Sequence, residues 1–410
     1  MKQAVDSFNK LQFKNQKLLV AFSGGPDSVF LLNELVKYFQ DTAKEHLVVA
    51  YVNYHDSPYV DEEERIVDHY INLYHLPFYK VDTQYQKKDH NFEDWARDYR
   101  YRFFQSLVKK LDLDGLVTAH QRTDLIETYL LQKQRNNLPS CYGLQEVSNL
   151  GKLTIYRPLL FISKKEIYQQ LKKENLSYYE DLTNQNLKKK RNYLRKDVIP
   201  VINEDEILTE IEKQNQRLKN LYQQFEKITY PVSYLIYDSF SSDDQKRFLF
   251  FLLDKKKVFL KDSRRSGAVK DLFSFLKNHT PKEYVINQKY SCYRLASSFF
   301  ISKGYKNISY SYLFKENKIY KTPYFTIDLK NFTLFNLNSL PVEVRNYHSG
   351  DTLATNLKTK DVYKQLKKQS VPFYLIKIYP VFIQNEKIVA VPFYSDLKSQ
   401  KIPLVLKSFF

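Results

Sequence analysis

The sequence predicts an α/β fold: a doubly wound parallel-sheet N-terminal domain, then a small mainly helical domain, then a C-terminal α+β domain. Three observations lead there. The chain has 410 residues, more than one hydrophobic core usually serves. Short β-rich apolar runs recur at Leu18 to Phe22, Leu47 to Val52, Phe78 to Val81 and Leu116 to Ala119, at the roughly 30-residue spacing of βαβ units. Past residue 320 the pattern changes to short alternating runs, Tyr324 to Leu329, Leu375 to Ile383 and Ile388 to Phe393.

Between the early strands lie helical stretches. Asn91 can cap one that runs through Leu111, and Ser163-Lys164-Lys165-Glu166 has the S-x-x-E form of a capping box. From Glu206 to Ile228, Ile207, Ile211, Leu218, Leu221, Phe225 and Ile228 recur at helical spacing among charged residues, which predicts an amphipathic connecting helix. Further helices are expected around Asp244 to Leu253 and Ser266 to Lys277. The expected divisions are a first domain at 1–202, a linker helix at 203–228, a small middle domain at 229–319 and a C-terminal domain at 320–410.

Composition narrows the function classes. Hydrophobic residues make up 43% and charged residues 27%, which argues against wholesale disorder. Lys and Arg number 64 against 46 Asp and Glu, and a formal charge of +18 points to a polyanionic partner, nucleic acid first. The abundance of Tyr and Phe fits a compositional bias and is not read as a base-stacking surface. Two cysteines, Cys141 and Cys292, cannot build a disulfide framework, a CxxC pair or a four-thiolate zinc site, so a reducing cytoplasm is expected. The first residues lack an apolar signal core, and the richest apolar run, Phe248 to Leu253, is far short of the ~20 residues that span a bilayer. No membrane association is expected. No HExxH string or serine-hydrolase constellation is present.

Only eight glycines occur, yet two are adjacent in Ser23-Gly24-Gly25-Pro26-Asp27-Ser28, between a predicted strand and a predicted helix. Backbone amides of such a loop can converge on phosphate oxygens, assisted by the positive end of the helix dipole. Pro26 fits the first helical turn. Asp27 would repel a bare phosphate, so its natural role is to hold a divalent cation that bridges nucleotide phosphates. The loop is neither GxxxxGK[ST] nor GxGxxG, which weakens γ-phosphoryl and hydride transfer. Asp124 and Glu127, three apart on a predicted helix, can turn both carboxylates to one side. Read alone, such a pair is as well explained by acids favoured at a helix N-terminus. Arg97 and Arg100 carry guanidinium forks suited to phosphate or to a developing negative charge, or form a surface ion-pair face with Glu93, Asp94 and Asp98. His120, at a strand end, can contact a nucleotide or order the loop.

Ser23 to Ser28 resembles the SGGxDS pyrophosphate loop of the ATP-pyrophosphatase, or PP-loop, superfamily, whose members split ATP between the α- and β-phosphates to adenylate a substrate. That loop alone leaves nucleotide amination, amide synthesis and tRNA thiolation open. Five further strings, in order, are similar to those of the tRNA(Ile)-lysidine synthetase family. They are Ala96-Arg97-Asp98-Tyr99-Arg100-Tyr101, Thr118-Ala119-His120 through Asp124, Glu127 and Thr128, Arg157-Pro158-Leu159-Leu160, Glu180-Asp181-Leu182-Thr183-Asn184, and Arg191-Asn192-Tyr193-Leu194-Arg195 before Ile199-Pro200. Val344-Arg345, Gly350-Asp351, Val371-Pro372 and Pro380-Val381 are more weakly similar to that family's C-terminal tRNA-binding domain. The chain departs from the family at Gln121, where a second His is usual, at Thr123, and in Gln134 to Pro139, which lacks the usual glycines.

The resemblance implies a PP-loop catalytic domain at 1–202, with ATP and Mg2+ as cofactors. Ser23, Gly24, Gly25, Pro26, Asp27 and Ser28 would hold ATP, and Asp27 the metal. It implies that the oxygen at carbon 2 of the wobble cytidine of tRNA(Ile) with a CAU anticodon attacks the α-phosphate. Free L-lysine then displaces AMP to give lysidine, which switches codon reading from AUG to AUA. Asp124 and Glu127 would bind the lysine, and Asp27, Arg97, His120, Asp124, Glu127 and Arg195 form the expected catalytic set. Arg191 and Arg195, with Lys364, Lys367 and Lys368 in a C-terminal segment of ten lysines against four acids, are the expected tRNA contacts. Rival readings are a thiolase-like PP-loop enzyme, disfavoured by the cysteine spacing, and a non-catalytic basic RNA-binding protein. Whether the chain acts as a homodimer is left open.

Overall fold

The apolar runs of the first two hundred residues assemble as one sheet. A computed structural model describes residues 2–55, 60–85, 92–180, 193–259, 265–303, 308–316, 318–329, 341–354, 359–368, 371, 373–391 and 404–406. The chain divides into two compact units, Met1–Tyr222 and Gln223–Phe410.

In the first unit, β1 (Leu18–Ala21), β2 (Leu47–Asn53), β3 (Phe78–Asp82), β4 (Gly115–Val117), β5 (Val147–Leu150) and β6 (Leu153–Tyr156) lie in the order β3-β2-β1-β4-β6-β5. All neighbours are parallel except the β5–β6 edge pair. Both faces of the central strands β1, β2 and β4 are covered, which is why these read as continuous apolar runs. Leu18, Val20, Val49 and Tyr51 face a core shared with α1 (Lys2–Lys10), α2 (Pro26–Phe39), α3 (Val60–Tyr74) and α6 (Lys164–Lys173). Leu19, Ala50 and Val52 face Tyr101, Phe104 and Leu107 of α4 (Phe92–Lys110). The strand order reverses between β1 and β4, and a crevice at the carboxyl ends of those strands is where an open α/β sheet binds ligands.

Helix α4 follows the expected course, while Asn91, its proposed cap, lies outside the described residues. The Ser163 capping box forms at the start of α6: Glu166 N donates to Ser163 Oγ at 3.2 Å and Ser163 N to Glu166 Oε2 at 2.9 Å. Helix α5 (Arg122–Gln134) packs Leu125 and Tyr129 against Ile211 of α7 (Glu204–Lys227), the expected amphipathic helix, within which the division between units falls.

The second unit contains α8 (Ser242–Lys255) and α9 (Arg265–Leu276), at the two expected positions. A four-stranded antiparallel sheet accompanies them: β7 (Val232–Ser233), β8 (Lys282–Val285), β9 (Tyr290–Arg294) and β10 (Ser298–Lys303), in the order β7-β10-β9-β8. The C-terminal part adds β11 (Ser311–Phe314), β12 (Ile319–Lys321), β13 (Phe325–Asp328), β14 (Val342–Asn346), β15 (Thr352–Ala354), β16 (Thr359–Asp361), α10 (Val362–Lys368), α11 (Phe373–Ile376), β17 (Pro380–Gln384), β18 (Lys387–Ala390) and β19 (Leu404–Leu406). Six of these strands form a sheet ordered β11-β14-β17-β18-β15-β16, and β12-β13-β19 form another. The run from Leu375 is helical at its start and extends only from Pro380, because Tyr374, Leu375 and Ile378 bury themselves against Tyr293 and Phe300. Among the described residues no helix is long and apolar enough to cross a membrane.

Candidate active site

A cleft of about 330 Å³ opens beyond the ends of β1, β2 and β4. The β1–α2 connection supplies Ser23, Gly25, Pro26, Asp27 and Ser28, the end of β2 supplies Tyr51, Val52 and Tyr54, and α3 supplies Glu63. Arg97, Arg100, Tyr101 and Phe104 come from α4, and Thr118, His120 and Asp124 from the β4–α5 segment. Elements far apart in sequence thus bring the glycine loop, both arginines, the histidine and three acids, Asp27, Glu63 and Asp124, to a single cavity.

The loop is held by its own side chains. Ser28 Oγ donates to Gly25 O at 2.9 Å and accepts from Ser23 N at 3.3 Å, while Tyr179 N donates to Gly24 O at 2.9 Å. Gly24 has φ +69°, and a Cβ there would stand 3.4 Å from Glu63 O and from Ile66 Cγ2, so the loop is pressed against α3 in a conformation that favours glycine. Gly25 is the N-cap of α2 with no side-chain cap, and Pro26 follows it at the first helical position. The amides of Asp27 and Ser28 therefore lack an intrahelical acceptor and point with the helix dipole, the arrangement that receives phosphate.

Asp27 lies in the first turn of α2 with Oδ1 shielded from solvent. Among the described residues no group of three or more His, Cys, Asp or Glu side chains is arranged to hold a metal ion. The Asp27 carboxylate at the phosphate loop fits Mg2+, which binds through one or two carboxylates together with substrate phosphates.

His120 is half-buried, with Nδ1 2.8 Å from Thr118 Oγ1. Burial pushes its pKa down to about 4; Asp124 opposes this, and Arg157, Arg100 and Arg97 reinforce it. The imidazole is therefore neutral near pH 7. Arg97 and Arg100 line the cleft, with Arg97 Cζ 5.0 Å above the Tyr101 ring. Asp98 pairs with Arg102 at 3.4 Å, on the outer side of the same helix. Arg157 is buried and donates to Gln145 O and Ser148 Oγ, both at 2.8 Å, as a clamp beneath the cleft.

The two acids of α5 differ. Gln121, standing where a second histidine is usual in the resembling family, caps α5: its Oε1 accepts from Thr123 N at 2.7 Å. Asp124 closes the capping box, accepting from Gln121 N at 2.9 Å, and also lines the cleft. One side chain thus both caps the helix and lines the cleft. Glu127 is buried at 3% exposure and is not among the cleft-lining residues. Arg191 lies outside the described residues, and Arg195 belongs to a π-helical turn, Leu194–Val198. Lys364, Lys367 and Lys368 lie on α10 in the second unit. Sequence reasoning missed Tyr51, Tyr54, Glu63, Tyr101 and Phe104. Their signal is faint, since Glu63 sits in a run of four acids and the aromatics belong to a chain rich in them.

A parallel sheet with a glycine loop and cationic side chains at its switch point defines a nucleotide-binding α/β domain. Residues 1–202 match the model of the PP-loop domain family. Among curated proteins the chain is similar to tRNA(Ile)-lysidine synthases. It is 41% identical to that of Mycoplasma mycoides over 51% of this chain and 51% of that protein, and 36% identical to that of Mesoplasma florum over 56% and 55%. With that of Thermosipho africanus it shares 26% identity over 94% of this chain and 90% of that one. The alignments to the first two thus span about half the length of those relatives. A solved U34-tRNA thiolase from Methanococcus maripaludis gives a TM-score of 0.41 at 14% identity over 52% of this chain and 78% of that one, too loose a likeness to bear on activity. The family resemblance read from the motifs is borne out.

Proposed function

We propose that the chain is an ATP-dependent ligase that adenylates the wobble cytidine of tRNA(Ile) with a CAU anticodon and joins free L-lysine to it, releasing AMP and pyrophosphate. The observation that carries this reading is the single cleft that gathers the phosphate-type loop, Asp27, Arg97, Arg100, His120 and Asp124. The similarity to lysidine synthases supplies the substrates.

In this reading the first-turn amides of α2 hold the β- and γ-phosphates, and Asp27 holds Mg2+, which neutralises phosphate charge when bound. Arg97 and Arg100 face the α-phosphate and stabilise negative charge as the cytidine oxygen adds there. Neutral His120, fixed by Thr118, offers a hydrogen bond without adding charge. Of the two acids of α5, Asp124 is the one in the cleft and meets the lysine ammonium, and Glu127 supports it from one turn behind. Arg191 and Arg195 are the proposed contacts of this unit with tRNA phosphates. The cytoplasm is where such a substrate set is found.

The test is direct. Incubation with ATP, Mg2+, radiolabelled lysine and total tRNA should place label in one isoleucine species and release AMP in a lysine-dependent manner. Label that never enters tRNA, or AMP release indifferent to lysine, would remove this reading.

A further inference from the structure

Within the nucleotide cleft, Glu63 has no part in the chemistry described so far. It lines the cavity from the first turn of α3, yet a carboxylate is unwelcome where a triphosphate must bind. Two observations say what it does there. Its backbone oxygen abuts Gly24, so its position is fixed relative to the phosphate loop. Its carboxylate lies beside the hydroxyl of Tyr51, a buried side chain of β2 that also lines the cleft, and together with burial it pushes that hydroxyl's pKa up. A carboxylate so placed has two oxygens that together can accept several hydrogen bonds. The cleft wall around it, Tyr51, Val52 and Tyr54, is apolar and aromatic, suited to a nucleoside and not to phosphates.

We infer that Glu63, beside Tyr51 in the cleft wall, is a positioning and specificity residue that accepts a hydrogen bond from a neutral donor of the ATP nucleoside, a ribose hydroxyl or the exocyclic amino group of adenine. It would thereby measure the distance between nucleoside and phosphate loop, since the same residue touches both. The inference rests on the nucleotide-cleft reading but not on the identity of the second substrate.

The experiment is equilibrium titration of the full-length chain with Mg2+ and four nucleotides: ATP, 2′-deoxy-ATP, 3′-deoxy-ATP and the purine riboside triphosphate that lacks the 6-amino group. Wild type should bind one analogue roughly tenfold more weakly than ATP, as expected when a charged acceptor loses its donor, and the analogue affected identifies the donor. Glu63→Gln should weaken ATP by a similar factor and abolish discrimination against that analogue. Tyr51→Phe, which keeps the ring, should lessen the discrimination to an intermediate value. A purely structural Glu63 predicts a lower melting temperature with every nucleotide weakened equally, and that result overturns the inference. So does a Glu63→Gln chain whose only change is a higher Mg2+ requirement. Failure to bind any of the four nucleotides would reject the cleft reading and this inference together, whereas selective ATP binding without lysine transfer would reject only the proposed reaction.

Discussion

At the scale of single residues, two positions make sharp demands. Gly24 combines φ +69° with close approach to Glu63 O and Ile66 Cγ2. Gly24→Ala must place a Cβ in left-handed backbone, at about 1–2 kcal/mol, in close contact with α3. A nucleotide titration beside a thermal melt should show a modest loss of stability and a larger loss of ATP affinity; equal affinity would mean that the loop geometry is not what binds. His120 makes a pH-dependent demand. Its folded pKa is lowered to about 4 from the ordinary value near 6.5, so between those values the unfolded chain binds the proton more readily. This contribution is complete above about pH 6.5 and is lost as pH falls toward 4, a matter of a few kcal/mol at most. Denaturant titrations from pH 7.5 to 4 should therefore show a steeper acid loss for wild type than for His120→Gln, and superimposable slopes would show that the imidazole is not buried as described. Glu127 is tested through the second substrate. Glu127→Gln should retain pyrophosphate release with tRNA and raise the lysine concentration needed for product by roughly tenfold or more. An unaltered lysine requirement removes it from the site.

Among elements, the sheet of the middle segment shows how a side chain can hide a strand. Arg294 is 4% exposed on β9 and donates through Nη1 to Phe275 O at 2.6 Å and Asn278 O at 2.5 Å, with its guanidinium 4.1 Å above the Phe275 ring. It thus caps the carbonyl end of α9, satisfying groups that every helix leaves open. Arg294→Met keeps much of the apolar bulk but leaves those carbonyls without their donor. A loss of roughly 2 kcal/mol or more is expected in denaturant unfolding, with the ATP cleft untouched. A stability change within a few tenths would refute the capping role. The same residue explains a gap in the sequence reading. Buried Ser291, Arg294 and Ser302 interrupt the apolar alternation that marks a strand, so β9 and β10 do not stand out from loop, whereas helices α8 and α9 announce themselves. In the first unit the opposite holds: the central strands β1, β2 and β4 are covered on both faces and almost wholly apolar, so they are plain to see. At the site, legibility follows rarity. Two adjacent glycines in a glycine-poor chain expose the loop, and the motif strings expose Arg97, His120 and Asp124. The divergence of Asp124 from Glu127 is not legible, because spacing fixes the face of a helix but not how deeply that face is buried.

On the scale of the whole molecule, the charge of +18 has to be matched to surfaces, and α10 offers a defined one. Val362 and Leu366 are buried beneath it, which turns Lys364, Lys367 and Lys368 outward, and Lys367 Nζ lies 4.8 Å above the Tyr363 ring. The bland explanation is available too, since lysines near a helix C-terminus complement its dipole. Removing the segment after residue 320 would not separate these readings. Strand β11 precedes that point yet pairs with β14 after it, and Tyr293 and Phe300 pack against Tyr374, Leu375 and Ile378, so a cut there would open the core of the second unit. Substitution at the surface is cleaner. Replacing Lys364, Lys367 and Lys368 together by Gln should leave the melting temperature within about a degree or two, because exposed charges contribute little to stability. If α10 grips phosphates of the tRNA, the variant should bind tRNA more weakly at low salt, and the slope of log affinity against log salt should flatten by roughly 0.7 to 0.9 for each phosphate that is no longer neutralised. Lysine transfer at saturating tRNA should proceed normally, since the cleft lies in the other unit. Unchanged affinity and an unchanged salt slope would assign these lysines to the helix dipole alone and send the search for the tRNA anchor to another basic surface.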